Sequence, residues 1–360
     1  MKIYFFIGTT AELIRIAPII NELKKRKIEH KLITSGQVGI NFKDLNGYIG
    51  DIRPDIAFKE KEKKSSLFHF CLWATRTLFV ALFKLGKEFR GMDKSKGYFV
   101  ICGDPISTSI GALVAFLYGL RIVHLESGDL SFNLLEPFPE EICRNINLRL
   151  ANILFPPGKW AYNNLKNFNK IKVNTHYNTS LECFMWAVNK RVPIAKKLKN
   201  KKYYILILHR QEHVFFRKGW SKQTLSRVLK HANPNLTCVL FNYPATVEIV
   251  RSIGIKSRKI LIMPPVSYPE FLSMVKNSEF IATDGATNQY EAYLIGKPCL
   301  ILRDFTEQIE GLGKNVILYK SNEERLKRFM LDYNKLITKP VSTNIKPSKI
   351  IVDNLIKLCS

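Results

Sequence analysis

Short apolar runs alternate with amphipathic stretches along most of the chain. Residues 2–7 form an apolar run that predicts a buried strand, and apolar positions then recur at helical spacing. The helical positions are Leu13, Ile16, Ala17, Ile20 and Leu23. A second strand is predicted over 31–34. The chain therefore opens as strand, turn, helix and strand, the unit from which parallel sheets with helices on their faces are built.

The alternation continues beyond this first unit. Strands are predicted at 98–102, 121–125 and 153–155. Between them, one helix is predicted over 107–118, and another starts at Pro139-Glu140-Glu141 and carries Arg144. After a Lys- and Asn-rich stretch, 166–202, it resumes. The strands predicted there are 203–208, 237–241, 259–263, 279–282 and 298–302. Such alternation indicates parallel sheets covered by helices on both faces.

The apolar run 67–85 has two interpretations. It approaches the length of a membrane span, but the internal Arg76 is costly in a bilayer. We interpret it as a helix packed on the first sheet, because a crossover is needed before the strand at 98–102. Basic residues precede and follow the run, so the alternative is an amphipathic surface that touches an anionic membrane.

Length and pattern together predict two domains. A chain of 360 residues exceeds one ordinary core. We expect a first Rossmann-like domain over 1–168 and a second over 169–345, with a C-terminal helix in 346–360 that packs back on the first domain. The predicted fold class is α/β: two Rossmann-like, doubly wound parallel-sheet domains facing across a cleft, as in glycosyltransferase-B enzymes.

Composition narrows the partners. Lys and Arg outnumber Asp and Glu by 56 to 30, so the surface carries a strong positive field suited to an anionic membrane or a phosphorylated substrate. The alternative is a Lys-rich surface that is only solvated. No nucleic-acid recognition motif accompanies this charge, and we expect no nucleic-acid partner. The seven cysteines lack metal-site spacing, which is typical of reduced thiols in a cytoplasmic protein. Residue 1 leads directly into a strand, so we expect no signal peptide.

Three acids stand where a parallel sheet places its ligands, beyond the carboxyl ends of its strands. Asp104 and Glu126 follow two strands, and Glu140 opens a helix. Converging carboxylates favour proton-transfer chemistry. The turns that follow Gly8 and that span 284–287 each open a helix, where an anion can bind. Each acid also has a purely structural interpretation, as a helix cap or a surface residue. For His209 the structural interpretation is a core histidine.

The ordered motifs carry a family resemblance. They are Gly8-Thr9-…-Glu12, Cys102-Gly103-Asp104, His124-Leu125-Glu126-Ser127-Gly128, Pro139-Glu140-Glu141 with Arg144, His209-Arg210-Gln211-Glu212, Thr283-Asp284-Gly285, Gln289 with Glu291, Gly296-Lys297-Pro298 and Arg303-Asp304-Phe305-Thr306-Glu307. Together they resemble the non-hydrolysing UDP-N-acetylglucosamine 2-epimerase family along nearly the whole chain.

The resemblance implies inversion at sugar C2 by elimination and re-addition of the nucleotide, in surface polysaccharide biosynthesis. A base removes the C2 proton as UDP leaves C1, and the bound glycal is reprotonated on its other face. The acid/base positions it implies are Asp104, Glu126, Glu140 and His209. The implied substrate-binding positions are Gly8, Thr9, Thr10, Arg15, Arg144, Arg210, Gly285, Ala286, Thr287 and Glu291. We place Arg144 and Arg210 at the leaving diphosphate.

The residues that depart from the family pattern are mostly those expected to bind the diphosphate of the nucleotide. Thr10 stands where the family has an arginine, and Gly285-Ala286-Thr287 replaces its Ser-Gly-Gly turn. Further changes are Tyr290 for a glutamate, Leu130 and Gln308 for arginines, and Gln37-Val38 for the Gln-His pair linked to allosteric UDP-sugar binding. The proton-transfer residues persist while the nucleotide contacts differ.

Three functions therefore remain open on sequence alone. The first is a nucleotide-sugar 2-epimerase, the second a membrane-associated glycosyltransferase with a lipid-linked or glycan acceptor, and the third a catalytically silent binder. We expect a nucleotide-sugar substrate, no metal and no cofactor. We also expect a cytoplasmic protein, peripheral to the inner face of the membrane under the second function, and a homodimer as the family implies.

Overall fold

The computed structural model describes residues 1–60, 67–90, 93–134, 137–193, 195–210, 213, 217–254 and 259–359. Gln211 and Glu212 of the His209 motif lie outside these ranges. The chain divides into two compact units. The first comprises Met1–Trp186 and Asn344–Ser360, and the second Ala187–Thr343.

The first unit is built on a parallel sheet of seven described strands. They are β1 (Lys2–Ile7), β2 (Glu29–Thr34), β3 (Ile56–Ala57), β4 (Gly97–Cys102), β5 (Arg121–Leu125), β6 (Ile153–Phe155) and β7 (Ile171–Lys172). Their order across the sheet is β3-β2-β1-β4-β5-β6-β7. The helices are α1 (Thr10–Lys25), α2 (Asn46–Ile49), α3 (Leu67–Phe89), α4 (Ile106–Leu117), α5 (Glu140–Leu150), α6 (Lys159–Asn164), α7 (Ser180–Val188) and, at the chain end, α13 (Pro347–Cys359).

The second unit repeats the plan with six described strands. They are β8 (Tyr203–Ile207), β9 (Thr237–Phe241), β10 (Ile260–Met263), β11 (Ile281–Thr283), β12 (Cys299–Ile301) and β13 (Val316–Leu318), in the order β10-β9-β8-β11-β12-β13 and all parallel. Its helices are α8 (Lys218–His231), α9 (Pro244–Ile253), α10 (Tyr268–Asn277), α11 (Ala286–Ile295) and α12 (Glu323–Asp332). The predicted fold class of two parallel-sheet α/β domains is confirmed.

The strands that the sequence did not predict are β3, β7 and β13. Each is two or three residues long and lies at a sheet edge. Such strands carry too few residues for a periodic signal. The boundary between the two compact units falls between Trp186 and Ala187, whereas the sequence pattern predicts the domain boundary after residue 168.

The interpretation of 67–85 as a helix packed on the sheet is confirmed. Ala81, Leu85 and Phe89 of α3 are buried in a core cluster with Tyr4 and Phe99 of the sheet. Their spacing of four residues places them on one helix face. In the described part of the chain, no helix is both long and apolar enough to cross a membrane.

Candidate active site

The turn between β1 and α1 is held together by its own polar groups. Thr9 caps α1 by accepting a hydrogen bond from the Glu12 backbone N–H at 3.3 Å. The Glu12 carboxylate accepts in return from Gly8 N and from Thr9 Oγ1, both at 2.9 Å. This reciprocal arrangement resembles a capping box, with the Gly8 N–H in place of the backbone N–H of the N-cap residue Thr9. It uses the Gly8 N–H, which removes one donor from the anion site predicted at this turn.

Gly8 is required by the close approach of α4. A Cβ added at Gly8 would lie 2.2 Å from Ser107 Oγ and 2.6 Å from Ser35 Oγ. Glu12 links the same elements, because Thr108 Oγ1 donates to it at 3.0 Å. Burial raises the pKa of Glu12 to about 7. Thr10 is the first residue of α1, so the structure brings the predicted Gly8, Thr9 and Thr10 into one turn.

Asp104 lies in the turn after β4, where it pairs with a cation and does not cap a helix. Pro105 precedes α4 and makes no side-chain cap. The Asp104 carboxylate instead accepts a hydrogen bond from Arg144, a buried residue of α5. Arg144 also donates from Nη1 to Glu141 at 2.9 Å. Arg144 therefore orients Asp104, and the cap alternative for Asp104 is wrong.

Glu126 follows β5 in a strained conformation. Its φ is +56°, a left-handed value that is uncommon for a non-glycine residue. Arg15 Nε of α1 lies 2.6 Å from one carboxylate oxygen, and Asn178 donates a hydrogen bond to the other. Burial raises the pKa of Glu126 although Arg15 opposes that shift. The site thus contains a nearly buried acid whose pKa lies above its ordinary value.

Of the two adjacent acids that open α5, Glu141 is structural. Its carboxylate is fully buried and accepts the backbone N–H groups of Ser131 and Phe132, each at 3.1 Å, as well as Arg144. Glu140 precedes it as the first residue of α5 and is half-buried. Glu140 is therefore the acid of this pair that a ligand can approach.

In the second unit, His209 follows β8 and is bound to Asp284. Its Nδ1 lies 3.1 Å from Asp284 Oδ1, and its backbone N–H donates to the same carboxylate. Its ring stacks on Tyr243 with centroids 5.6 Å apart. Since 41% of its side chain is exposed, the alternative of a core histidine is wrong.

The turn that opens α11 contains the other predicted nucleotide contacts. Gly285 is the N-cap, and its N–H donates to Thr283 Oγ1 at 3.0 Å. Ala286 and Thr287 are the first two residues of the helix. One turn later, the buried Glu291 accepts from Asn288 Nδ2 at 3.1 Å.

Arg210 and the buried Arg303 both lie against the carboxylate of Glu307. Arg210 Nη2 is 3.7 Å from Glu307 Oε1, and Arg303 Nη2 is 2.8 Å from Glu307 Oε2. Arg303 is almost fully buried, whereas 14% of the Arg210 side chain is exposed. Arg210 is thus the accessible guanidinium of this group. Within the described ranges, no group of three or more His, Cys, Asp or Glu side chains is arranged to hold a metal ion.

Sequence reasoning missed the groups that hold the acids and the histidine. Asn178 binds Glu126, and Asp284 binds both His209 and His213. Asp284 belongs to the Thr283-Asp284-Gly285 motif, but the sequence assigned it no role. His213 offered only the signal of a second histidine near the first, because the side chain that it meets is 71 residues away.

Comparison with known proteins locates this arrangement in a family. The family model described as UDP-N-acetylglucosamine 2-epimerase matches residues 91–341. The UDP-N-acetylglucosamine 2-epimerase of Methanococcus maripaludis is 29% identical over 346 residues, covering 90% of this chain and 89% of that protein. The enzyme of that name from Methanocaldococcus jannaschii is 26% identical and is covered to 93%, as is this chain.

Solved structures agree in fold. The Methanocaldococcus jannaschii UDP-GlcNAc 2-epimerase in complex with UDP-GlcNAc and UDP is 25% identical, with a TM-score of 0.78 over 99% of this chain and all of that one. The Neisseria meningitidis enzyme bound to UDP-GlcNAc reaches a TM-score of 0.82 at 24% identity, with the same coverage. A UDP-glucosyltransferase from Polygonum tinctorium matches at 0.53 and 11% identity over 100% of this chain and 98% of that one. That last likeness shows the glycosyltransferase-B type of fold alone.

The sequence comparisons separate the functions that the motifs left open. The family match extends over more than half of the chain, and the relatives are covered nearly end to end. Both favour an isomerase over a glycosyltransferase. The resemblance predicted from the ordered motifs is confirmed: the chain belongs to the UDP-N-acetylglucosamine 2-epimerase family, a family of isomerases.

Proposed function

We propose that the protein is a nucleotide-sugar 2-epimerase acting on UDP-N-acetylglucosamine or a closely related sugar nucleotide. The observation that carries this proposal is Glu126, whose pKa is raised by burial while Arg15 and Asn178 fix its carboxylate. A carboxylate whose pKa is raised is a stronger base, which suits proton exchange with a carbon acid. Membership of the family supplies the reaction.

The reaction proceeds by elimination and re-addition. A base takes the proton from C2 while the bond from C1 to the nucleotide diphosphate breaks, and the glycal is reprotonated on its opposite face as the diphosphate adds back. The acid/base groups are Asp104, Glu126, Glu140 and His209. Because Arg144 is engaged by Asp104 and Glu141, we assign it to orienting Asp104, and assign Arg210 to the diphosphate.

The remaining predicted residues serve binding. We assign the turn Gly285-Ala286-Thr287, at the start of α11, to the diphosphate, because a helix N-terminus favours negative charge. Glu291 is assigned to the ribose. The turn Gly8-Thr9-Thr10 and Arg15 are assigned to the sugar, since Arg15 already contacts Glu126.

Proton exchange without an acceptor is the test of this proposal. The protein is incubated in deuterium oxide with UDP-, CMP- and GDP-sugars, and NMR follows deuterium at C2. Incorporation into one sugar supports epimerisation and identifies the nucleotide. Glu140→Gln should abolish exchange, whereas the matched change Glu324→Gln, at an exposed residue of α12, should leave it unchanged. Detectable binding without exchange of any sugar would contradict the proposal.

We also propose a cytoplasmic location, supported by seven free cysteines. The predicted membrane contact gains support from α3, where Phe79 and Phe83 are 57% and 75% exposed and lie near the exposed Lys84 and Lys87. Salt-sensitive sedimentation with anionic but not neutral vesicles tests it. The homodimer stays a prediction, which equilibrium sedimentation tests.

A further inference from the structure

Asp284 is the centre of a buried polar cluster in the second unit. Its side chain is fully buried at the end of β11. The backbone N–H groups of His209 and Arg210 donate to it at 3.1 and 2.9 Å. Two imidazoles also face it: His209 Nδ1 lies 3.1 Å from Oδ1, and His213 Nδ1 lies 3.1 Å from Oδ2. One carboxylate therefore holds two histidines and two backbone groups.

The charge on Asp284 determines which ring nitrogens carry protons. Burial alone would raise the pKa of Asp284, but the bonds and charges of His209 and His213 together lower it well below its ordinary value. An ionised carboxylate only accepts hydrogen bonds. Each facing Nδ1 must therefore carry hydrogen, which makes Nε2 of His209, on the other side of the ring, the atom that can gain or lose a proton.

The ring of His209 is also held in place from its other sides. Tyr243 stacks on it at an interplanar angle of 24°. A Cβ added at Gly285 would lie 3.2 Å from His209 Cε1, so the absence of a side chain there leaves room for the ring. His213 is 99% buried, and its ring lies 4.6 Å from that of Trp220. The two imidazoles differ in access: His209 is partly exposed, whereas His213 is enclosed.

We propose that Asp284 is the positioning residue that makes Nε2 of His209 a proton-transfer atom, and that His213 steadies the same carboxylate from the protein interior. This inference rests on the proposed function of His209. The proton moves between the substrate and Nε2. Asp284 stays ionised throughout, stabilises the imidazolium that forms, and does not take the proton.

The tautomer of His209 is the first test, because it needs no turnover. In protein with ¹⁵N-labelled histidine, two-bond ¹⁵N–¹H correlations distinguish the two neutral tautomers at a pH where the ring is uncharged. His209→Gln assigns the signals among the seven histidines. We expect the Nδ1–H tautomer for His209 in the wild-type protein. A predominant Nε2–H tautomer would overturn the inference, even if the protein is an active epimerase.

Kinetics of C2 exchange are the second test. Asp284→Asn should lower kcat by about 100-fold or more with little change in KM, because the ring loses its orientation rather than the substrate its binding. His213→Asn keeps a donor toward Asp284 and should retain far more activity than Asp284→Asn. Asp332→Asn, at a partly exposed residue of α12 that pairs with Lys335, is the matched control. Wild-type kcat in Asp284→Asn would overturn the inference.

The two tests separate the inference from the proposed function. The Nδ1–H tautomer in a protein that exchanges no deuterium would contradict the function of His209 and leave the geometry of Asp284 intact. If Asp284→Asn does not fold, the wild-type tautomer still decides, since an Nε2–H ring excludes the proposed orientation.

Discussion

At the scale of single residues, an arginine lies against each of two predicted acid/base carboxylates in the first unit. Arg15 lies against Glu126, and Arg144 against Asp104. The two acids differ in burial. Glu126 is nearly buried, and burial raises its pKa, whereas Asp104 is half-buried. Environment rather than residue type therefore distinguishes the two acids.

Removing Arg15 should shift the pH profile of catalysis. Burial raises the pKa of Glu126, and Arg15 is the largest of the causes that lower it, so the pKa rises further in Arg15→Met. If Glu126 acts as an ionised base, the acidic limb of kcat/KM for C2 exchange should move up by about one pH unit or more. Exchange measured across pH checks this.

Arg15→Lys is the conservative comparison, since it keeps the positive charge, and Arg149→Met alters an exposed arginine of α5. An unchanged acidic limb in Arg15→Met would mean that Glu126 is not the group titrating there.

At the scale of elements, the β1–α1 turn is joined to α4 through Glu12. Its carboxylate is fully buried and contacts Gly8, Thr9 and Thr108. Burial holds its pKa at about 7, against an ordinary value of 4.5. A group whose folded pKa is raised contributes stability that is complete below its unfolded pKa and is lost as the pH rises to its folded pKa. The contribution of Glu12 to the free energy of unfolding should therefore decrease as the pH rises from about 4.5 to 7.

Glu12→Gln should remove this pH dependence. The free energy of unfolding of the wild-type protein should fall, relative to that of the variant, by about 3 kcal/mol between pH 4.5 and 7.5, at about 1.4 kcal/mol for each unit of the pKa shift. Urea unfolding of both proteins across this range measures the difference. Parallel curves for the two proteins would contradict the role assigned to Glu12, whatever their absolute stabilities.

At the scale of the whole molecule, the chain crosses from the first unit to the second and ends in the first. Helix α13 belongs to the first unit, where Arg26 lies 2.6 Å from Asp353 and Tyr98 donates to the Leu355 carbonyl at 3.0 Å. Leu355 itself is 1% exposed. The C-terminal residues are thus part of the first core.

Leu355→Ala should weaken the first unit selectively. Truncating a buried leucine costs about 2–5 kcal/mol through lost burial and the cavity left behind. Hydrogen exchange measured by mass spectrometry should accelerate in peptides covering β4 and leave those covering β8 and β11 unchanged. Lys357→Ala, at an exposed position of α13, is the control. Equal acceleration in both units would contradict the assignment of α13 to the first.

The sequence by itself determined the longer strands and their alternation with helices, the class of fold and the family. Apolar periodicity is a local property, so strands such as 2–7 and 203–208 can each be predicted from their own residues alone. The acids at strand ends were also readable, because parallel strands place their carboxyl ends at one edge of the sheet.

Only the tertiary structure decided which groups those residues meet. The pairs of Arg15 with Glu126 and of His213 with Asp284 join distant segments, so they depend on the order of strands and on how each helix packs. The same contacts decided that Glu141 is structural while Glu140 is accessible, although the two are identical neighbours in sequence. Burial and partner charge are properties of the folded chain, and they set the pKa values on which the chemistry depends.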